Sequence, residues 1–155
     1  MKTNMTKQER IELAESLFIK GYNCAQAVAL AFADLTNIDK KIVETVSAPF
    51  GGGVGRMRNI CGTISGMVIT ISLIRNYDCS DNSQKLALYA EEQELANRFK
   101  EKHGSIVCKE LLEMAAQKHE DPTMANLHKH SCRQFVMDAT AILADYLEEK
   151  GIKLW

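Results

Sequence analysis

The sequence predicts an all-α fold, a bundle of six or seven helices packed around one buried central helix at about residues 60–75. Three observations predict it. Hydrophobic residues make up 46% of the chain and prolines number only two, a composition that favours helix. No segment alternates convincingly with period two, so no strand is expected. The stretch from Ile60 to Ile74 is apolar or small on every side, which marks a helix surrounded by others. A chain of 155 residues fits one domain, 1–155, with length to bury about 70% of its unfolded surface.

Thr6-Lys-Gln-Glu9 is a capping box, and Ile11, Ala14, Leu17 and Phe18 follow at helical spacing until Lys20-Gly21, giving a first helix over 7–19. Asn23-Cys24-Ala-Gln26 repeats the start signal, with Cys24, Val28, Ala31 and Leu35 as the buried stripe of a second helix. Asp39 caps a third helix with Ile42, Val43 and Val46 inward, and Pro49 stops it. Gly51, Gly52, Gly53 and Gly55 give the next stretch backbone freedom before the central helix. Within that helix Gly62 and Gly66 lie one turn apart and cut a groove that a neighbouring helix or a ligand can approach closely.

Residues 76–83 read as a polar loop holding Cys79. Ser83 caps a long helix with Leu88, Tyr89, Leu95, Ala96 and Phe99, closed by His103-Gly104. Ser105 opens the next, placing Cys108 at its third position and Leu111, Leu112 and Ala115 inward. The stretch 119–130 reads as a loop. Ser131 then caps a last helix with Cys132 first, followed by Phe135, Val136, Ala139, Leu143 and Leu147 until Gly151.

The net charge of −1 with both signs interspersed gives no basic stripe for nucleic acid. The polar N-terminus lacks the apolar core of a secretory signal, and the longest apolar run, about 15 residues, is short of the ~20 that span a bilayer. A cytoplasmic protein without stable membrane insertion is expected. Its five cysteines are odd in number and widely spaced, which points to reduced thiols, metal binding or transient redox chemistry over a disulfide framework.

Four of those cysteines, Cys24, Cys61, Cys108 and Cys132, share a first-turn placement in four different helices. Unpaired N–H groups and the helix dipole favour an anion there, and a thiolate is such an anion. The four are expected to converge in one pocket, with Cys79 apart. Cys61 is expected to be the most acidic, since a glycine loop, Arg56 and Arg58 precede it.

At these residues the chain resembles the C_GCAxxG_C_C family of redox-active proteins, named for four cysteines. The likeness rests on Asn23-Cys24-Ala-Gln-Ala-Val28, on Phe50-Gly-Gly-Gly with Gly55-Arg56, on Cys61-Gly62-Thr63-Ile-Ser-Gly66, and on Cys108 and Cys132. Thr63 departs from the pattern, which has alanine there. The resemblance implies a helical, usually prokaryotic, redox-associated protein with the four cysteines as functional residues, and names no substrate.

Two chemistries fit a convergent set. One is dithiol–disulfide or electron exchange with an unknown redox partner, although no Cys-x-x-Cys pair is present. The other is zinc or an iron–sulfur cluster on Cys24, Cys61, Cys108 and Cys132, serving an electron-transfer or sensor module without turnover, although separations of 37, 47 and 24 residues match no short ligand spacing. A structural homodimer with core cysteines is the third reading. Gly62, Gly66 and Arg56 are the candidate cofactor-binding residues. The glycine loop is read as a conformational device that delivers Cys61 in preference to a phosphate cradle. His128 and His130 are read as exposed loop residues near Cys132, in preference to metal ligands.

Overall fold

The structure is a computed structural model that describes residues 5–154, and the all-α expectation holds in it. Among the described residues are seven helices of seven residues or more: α1 (Lys7–Ile19), α2 (Cys24–Leu30), α3 (Lys40–Ser47), α4 (Gly62–Arg75), α5 (Asn82–His103), α6 (Cys108–Lys118) and α7 (Arg133–Glu149). The early caps are the expected ones. Thr6 Oγ1 accepts from the Glu9 N–H at 3.2 Å, Asn23 and Gln26 form a reciprocal box, and Asp39 accepts from the Lys41 N–H at 2.8 Å.

Three starts differ from expectation, two of them in the middle of the chain. α5 is capped by Asp81, whose carboxylate takes both the N–H and the hydroxyl of Ser83. α6 begins at Cys108 itself, because Ser105 spends its hydroxyl on the Val107 N–H and the Glu110 carboxylate, and Val107 stays extended.

The first half of α4 is buried on all sides, as a central helix should be. It packs on α2 with almost no spacing. A Cβ on Gly62 would lie 3.1 Å from Cys24 Cβ, and one on Gly66 would lie 2.8 Å from the Ala25 carbonyl. The run of alanines in α2 allows the same closeness from the other side. α1 lies along α7, and a continuous core reaches from Ala14 to Leu154.

One inward assignment in α3 fails. Ile42 and Val46 are 54% and 46% exposed, while Val43 and Ser47 are buried. The two pairs are neighbouring stripes about 100° apart on one helix. α3 packs mainly on α2, so one stripe is covered, and the Ser47 hydroxyl is made compatible with burial by its bond to the Val43 carbonyl.

Before α4 the glycine segment coils left-handed. Gly52, Gly53, Val54, Gly55 and Arg56 all have φ between 56° and 70°, and Arg58 follows at 62°. Glycine takes this conformation without steric cost, whereas a β-branched valine in it is a strained outlier. The turn closes on itself, with the N–H groups of residues 55–59 bonded to carbonyls between Pro49 and Val54. Those N–H groups are therefore not free for a phosphate.

The last helix also starts elsewhere than expected. Thr123 caps a helical turn over Met124–Leu127, which runs through a π turn, His128–Cys132, directly into α7. Residues 124–130 are thus helical, Ser131 is not a cap, and Cys132 is not at a free helix end. The competing signal is Thr123, which accepts from the Asn126 N–H just after Pro122.

Candidate functional site

Asn23 fixes the first thiol. Its side chain caps α2 and donates to the Ala48 carbonyl at 2.9 Å, so Cys24 is held as the first residue of that helix. The second and third thiols are held by one another's segments. Ile60 and Val107 form an isolated antiparallel bridge, in which the Cys61 N–H donates to the Ile106 carbonyl at 2.8 Å and the Cys108 N–H to the Asn59 carbonyl at 2.6 Å. The left-handed turn packs onto this pair, because Gly53 sits where a Cβ would be 2.8 Å from Cys108 Cβ. The π turn supplies Cys132.

All four thiols line one cavity of about 860 Å³, together with Arg56, Arg58 and Gly62. Cys79 is exposed in its loop and lies outside it. Convergence arises even though only Cys24 and Cys108 are first residues of helices, Cys61 being an N-cap and Cys132 lying within a helical run.

The electrostatics separate the four. Cys24 and Cys132 act on one another across the cavity wall, and their interaction raises Cys24, which burial raises further, and lowers Cys132. The positive charge of Arg58 lowers Cys132 further. Cys108 is raised by burial, with the Arg58 guanidinium, whose Nη1 donates to Cys108 Sγ at 3.8 Å, working the other way.

Cys61 is not the most acidic thiol. Burial pushes it up to about 11, and hydrogen bonds from Thr63 offset only part of this. Desolvation outweighs the helix terminus here, since the side chain is 5% exposed and the nearby arginines turn toward Cys108 and the cavity.

Thr63, noted in the sequence only as a departure from alanine, is the residue that touches Cys61, its Oγ1 lying 3.0 Å from the sulfur. Its place two residues after a cysteine N-cap is the signal that would have found it. Gly62 lies on the cavity wall, but Gly66 faces Ala25 and Val28 and does not line the cavity. The helix–helix alternative accounts for Gly66. His128 stands on the wall and packs on the Phe18 ring at 4.5 Å between centroids, while His130 stacks with His119 outside the cavity. Both are exposed, as expected, but they stand on a helical turn and not in a loop. Leu111, Leu112 and Phe135 give the wall an apolar side that the cysteine pattern did not reveal.

A zinc site needs three or four donors about 2.0–2.3 Å from one point. Among the described residues no group of three or more His, Cys, Asp or Glu side chains comes together to hold a metal ion.

Fold and cavity together define a helical protein with a four-thiol chamber. The model of the family described as "Putative redox-active protein (C_GCAxxG_C_C)" matches residues 22–146, which takes in all four lining cysteines. The chain belongs to that family. No curated protein and no solved structure matches it. No helix among the described residues is long and apolar enough to cross a membrane.

Proposed function

We propose that this protein is a thiol–disulfide exchange protein in which Cys24 and Cys132 are the working pair. The observation that carries the reading is that both residues line the same open cavity, where their mutual influence raises Cys24 and lowers Cys132 toward thiolate. The thiolate is the attacking form. Cys132 attacks one sulfur of a disulfide RSSR, forming a mixed disulfide and expelling RS⁻. Cys24 then gives up its proton, attacks the Cys132 sulfur and closes the Cys24–Cys132 bond, expelling the second RS⁻. Two protein thiols are oxidised and the incoming disulfide is reduced to two RSH, and the reverse sequence oxidises two incoming RSH to RSSR while the Cys24–Cys132 bond is reduced.

Cys61, protonated and buried, serves the wall as a small apolar residue, in keeping with the core reading for that one position. Free cysteines in this number suit the reducing cytoplasm, where such a pair would turn over. The test is to treat the fully reduced protein with bis(2-hydroxyethyl) disulfide, block the remaining thiols and map the products by mass spectrometry. A Cys24–Cys132 bond forming first supports the reading. A first bond between other cysteines, or mixed disulfides that never close, would overturn it.

A further inference from the structure

The cavity is larger than two thiols need and its charge is one-sided. Its volume of about 860 Å³ falls in the range of chambers that enclose a small organic molecule, roughly 300–1,000 Å³. Its wall carries Arg56, Arg58 and His128 but no aspartate or glutamate, in a chain that holds 20 acidic residues against 19 basic ones. Neither arginine has a carboxylate partner among the described residues. Both arginines are held with positive φ, a backbone that residues other than glycine rarely adopt, on the turn that packs against Cys108. His128, on the same wall, is held toward its neutral form first by burial and further by the charges of Arg56 and Arg58. Leu111, Leu112 and Phe135 add an apolar surface to the same lining.

Resting on the thiol-exchange reading, we infer that the substrate is a low-molecular-weight disulfide carrying carboxylates, or the corresponding thiol in the reverse direction. Arg56 is free to take a carboxylate in the fork geometry that guanidinium groups favour, and the apolar wall covers the rest of the molecule. Arg58 contributes its field at the sulfurs, where it also stabilises the thiolate that attacks. A cationic disulfide meets repulsion at the same place.

The test compares three symmetrical disulfides of similar size. Dithiodipropionate carries two carboxylates, bis(2-hydroxyethyl) disulfide is neutral, and cystamine carries two ammonium groups. Rates of Cys24–Cys132 oxidation are measured by rapid mixing and divided by the rates at which dithiothreitol reacts with the same three reagents, which removes their intrinsic reactivity. The normalised rate for the dianion should exceed that for the neutral reagent by roughly tenfold at low ionic strength, and the dication should fall below both. Added salt should compress the series.

Arg56→Asn should bring the three normalised rates together, and asparagine is chosen because it tolerates positive φ. Arg58→Asn is the second variant, read by the same ratio. If all three reagents close the Cys24–Cys132 bond at equal normalised rates in the unaltered protein, the carboxylate assignment is wrong and the redox reading stands. If none closes it, both are wrong.

Discussion

Arg10 and Arg58 are the same kind of side chain in opposite company. Arg10, fully buried at the far side of α1, bonds both oxygens of Asp34 at 2.7 and 2.9 Å, and donates as well to the carbonyls of Ala31 and Leu154. It ties α1 to the segment that follows α7. Arg58, half-buried at the cavity, has one long contact to a thiol and no carboxylate. The first arrangement pairs a buried charge through both terminal nitrogens, leaving only Nε without a partner, and so helps to hold the fold. The second leaves a positive field directed at sulfur and at whatever enters the chamber, so stability and reactivity are assigned to different arginines.

The contrast can be broken at its structural pole first. Arg10→Ala leaves the Asp34 charge buried and unpaired, and should lower stability by about 3–5 kcal/mol in urea denaturation. A loss below about 1 kcal/mol would mean that the clamp is dispensable. Next comes the close approach of α2 and α4. Gly66→Leu puts a side chain where even a Cβ lies 2.8 Å from the Ala25 carbonyl, and should cost about 1–3 kcal/mol by overpacking, with the four thiols still reactive if the cavity is independent of that contact. A cost no greater than that of an exposed glycine-to-alanine change would contradict the packing.

A smaller effect is readable with pH. The folded Cys61 holds its proton to about pH 11, against an ordinary value of 9.0. Between those values the unfolded chain has released a proton that the folded chain keeps. Stability from this group is therefore present below pH 9 and lost as pH rises toward 11, with a slope approaching 1.4 kcal/mol per unit at most. Cys61→Ala should show a flatter decline over that window than the unaltered protein, and parallel declines would show that Cys61 is not desolvated. The smallest effect sharpens the functional pole. Iodoacetamide with mass mapping should modify Cys132 at lower pH than Cys61, and Arg58→Asn should move the Cys132 profile upward. An unmoved profile would remove Arg58 from the account of reactivity.

What the sequence made legible was whatever is decided locally. Thr6, Asn23 and Asp39 announce their helices because a cap bonds within three residues of itself, and the bounds of α1 follow from that. The gathering of Cys24, Cys61, Cys108 and Cys132 was also legible, since all four read as first-turn residues and the resemblance pointed to the same set. Their ranking was not. Cys61 has the richest local surroundings in sequence, yet its burial depends on α2 and the Ile60–Val107 bridge, which no local pattern reports. Ser131 and Thr123 are equally good caps on paper. The choice between them is made over a longer helical run, and the cost was to read residues 124–130 as a loop.

The π turn at His128–Cys132 makes the chamber depend on a count of residues as well as on their chemistry. Met124, His128 and Cys132 all line the cavity, spaced four apart. In an unbroken α-helix each step of four residues overshoots a full turn by about 40°, so Cys132 would stand about 80° away from Met124 around the axis. A wider turn advances less per residue and takes up that overshoot, which keeps all three on one side. Deleting a single residue between 128 and 132 would rewind the turn and swing the sulfur out of register with its roof, although every cysteine would still be present. Insertions and deletions here are therefore the changes to which the thiol pair is most exposed, and a scan of point substitutions would pass over them.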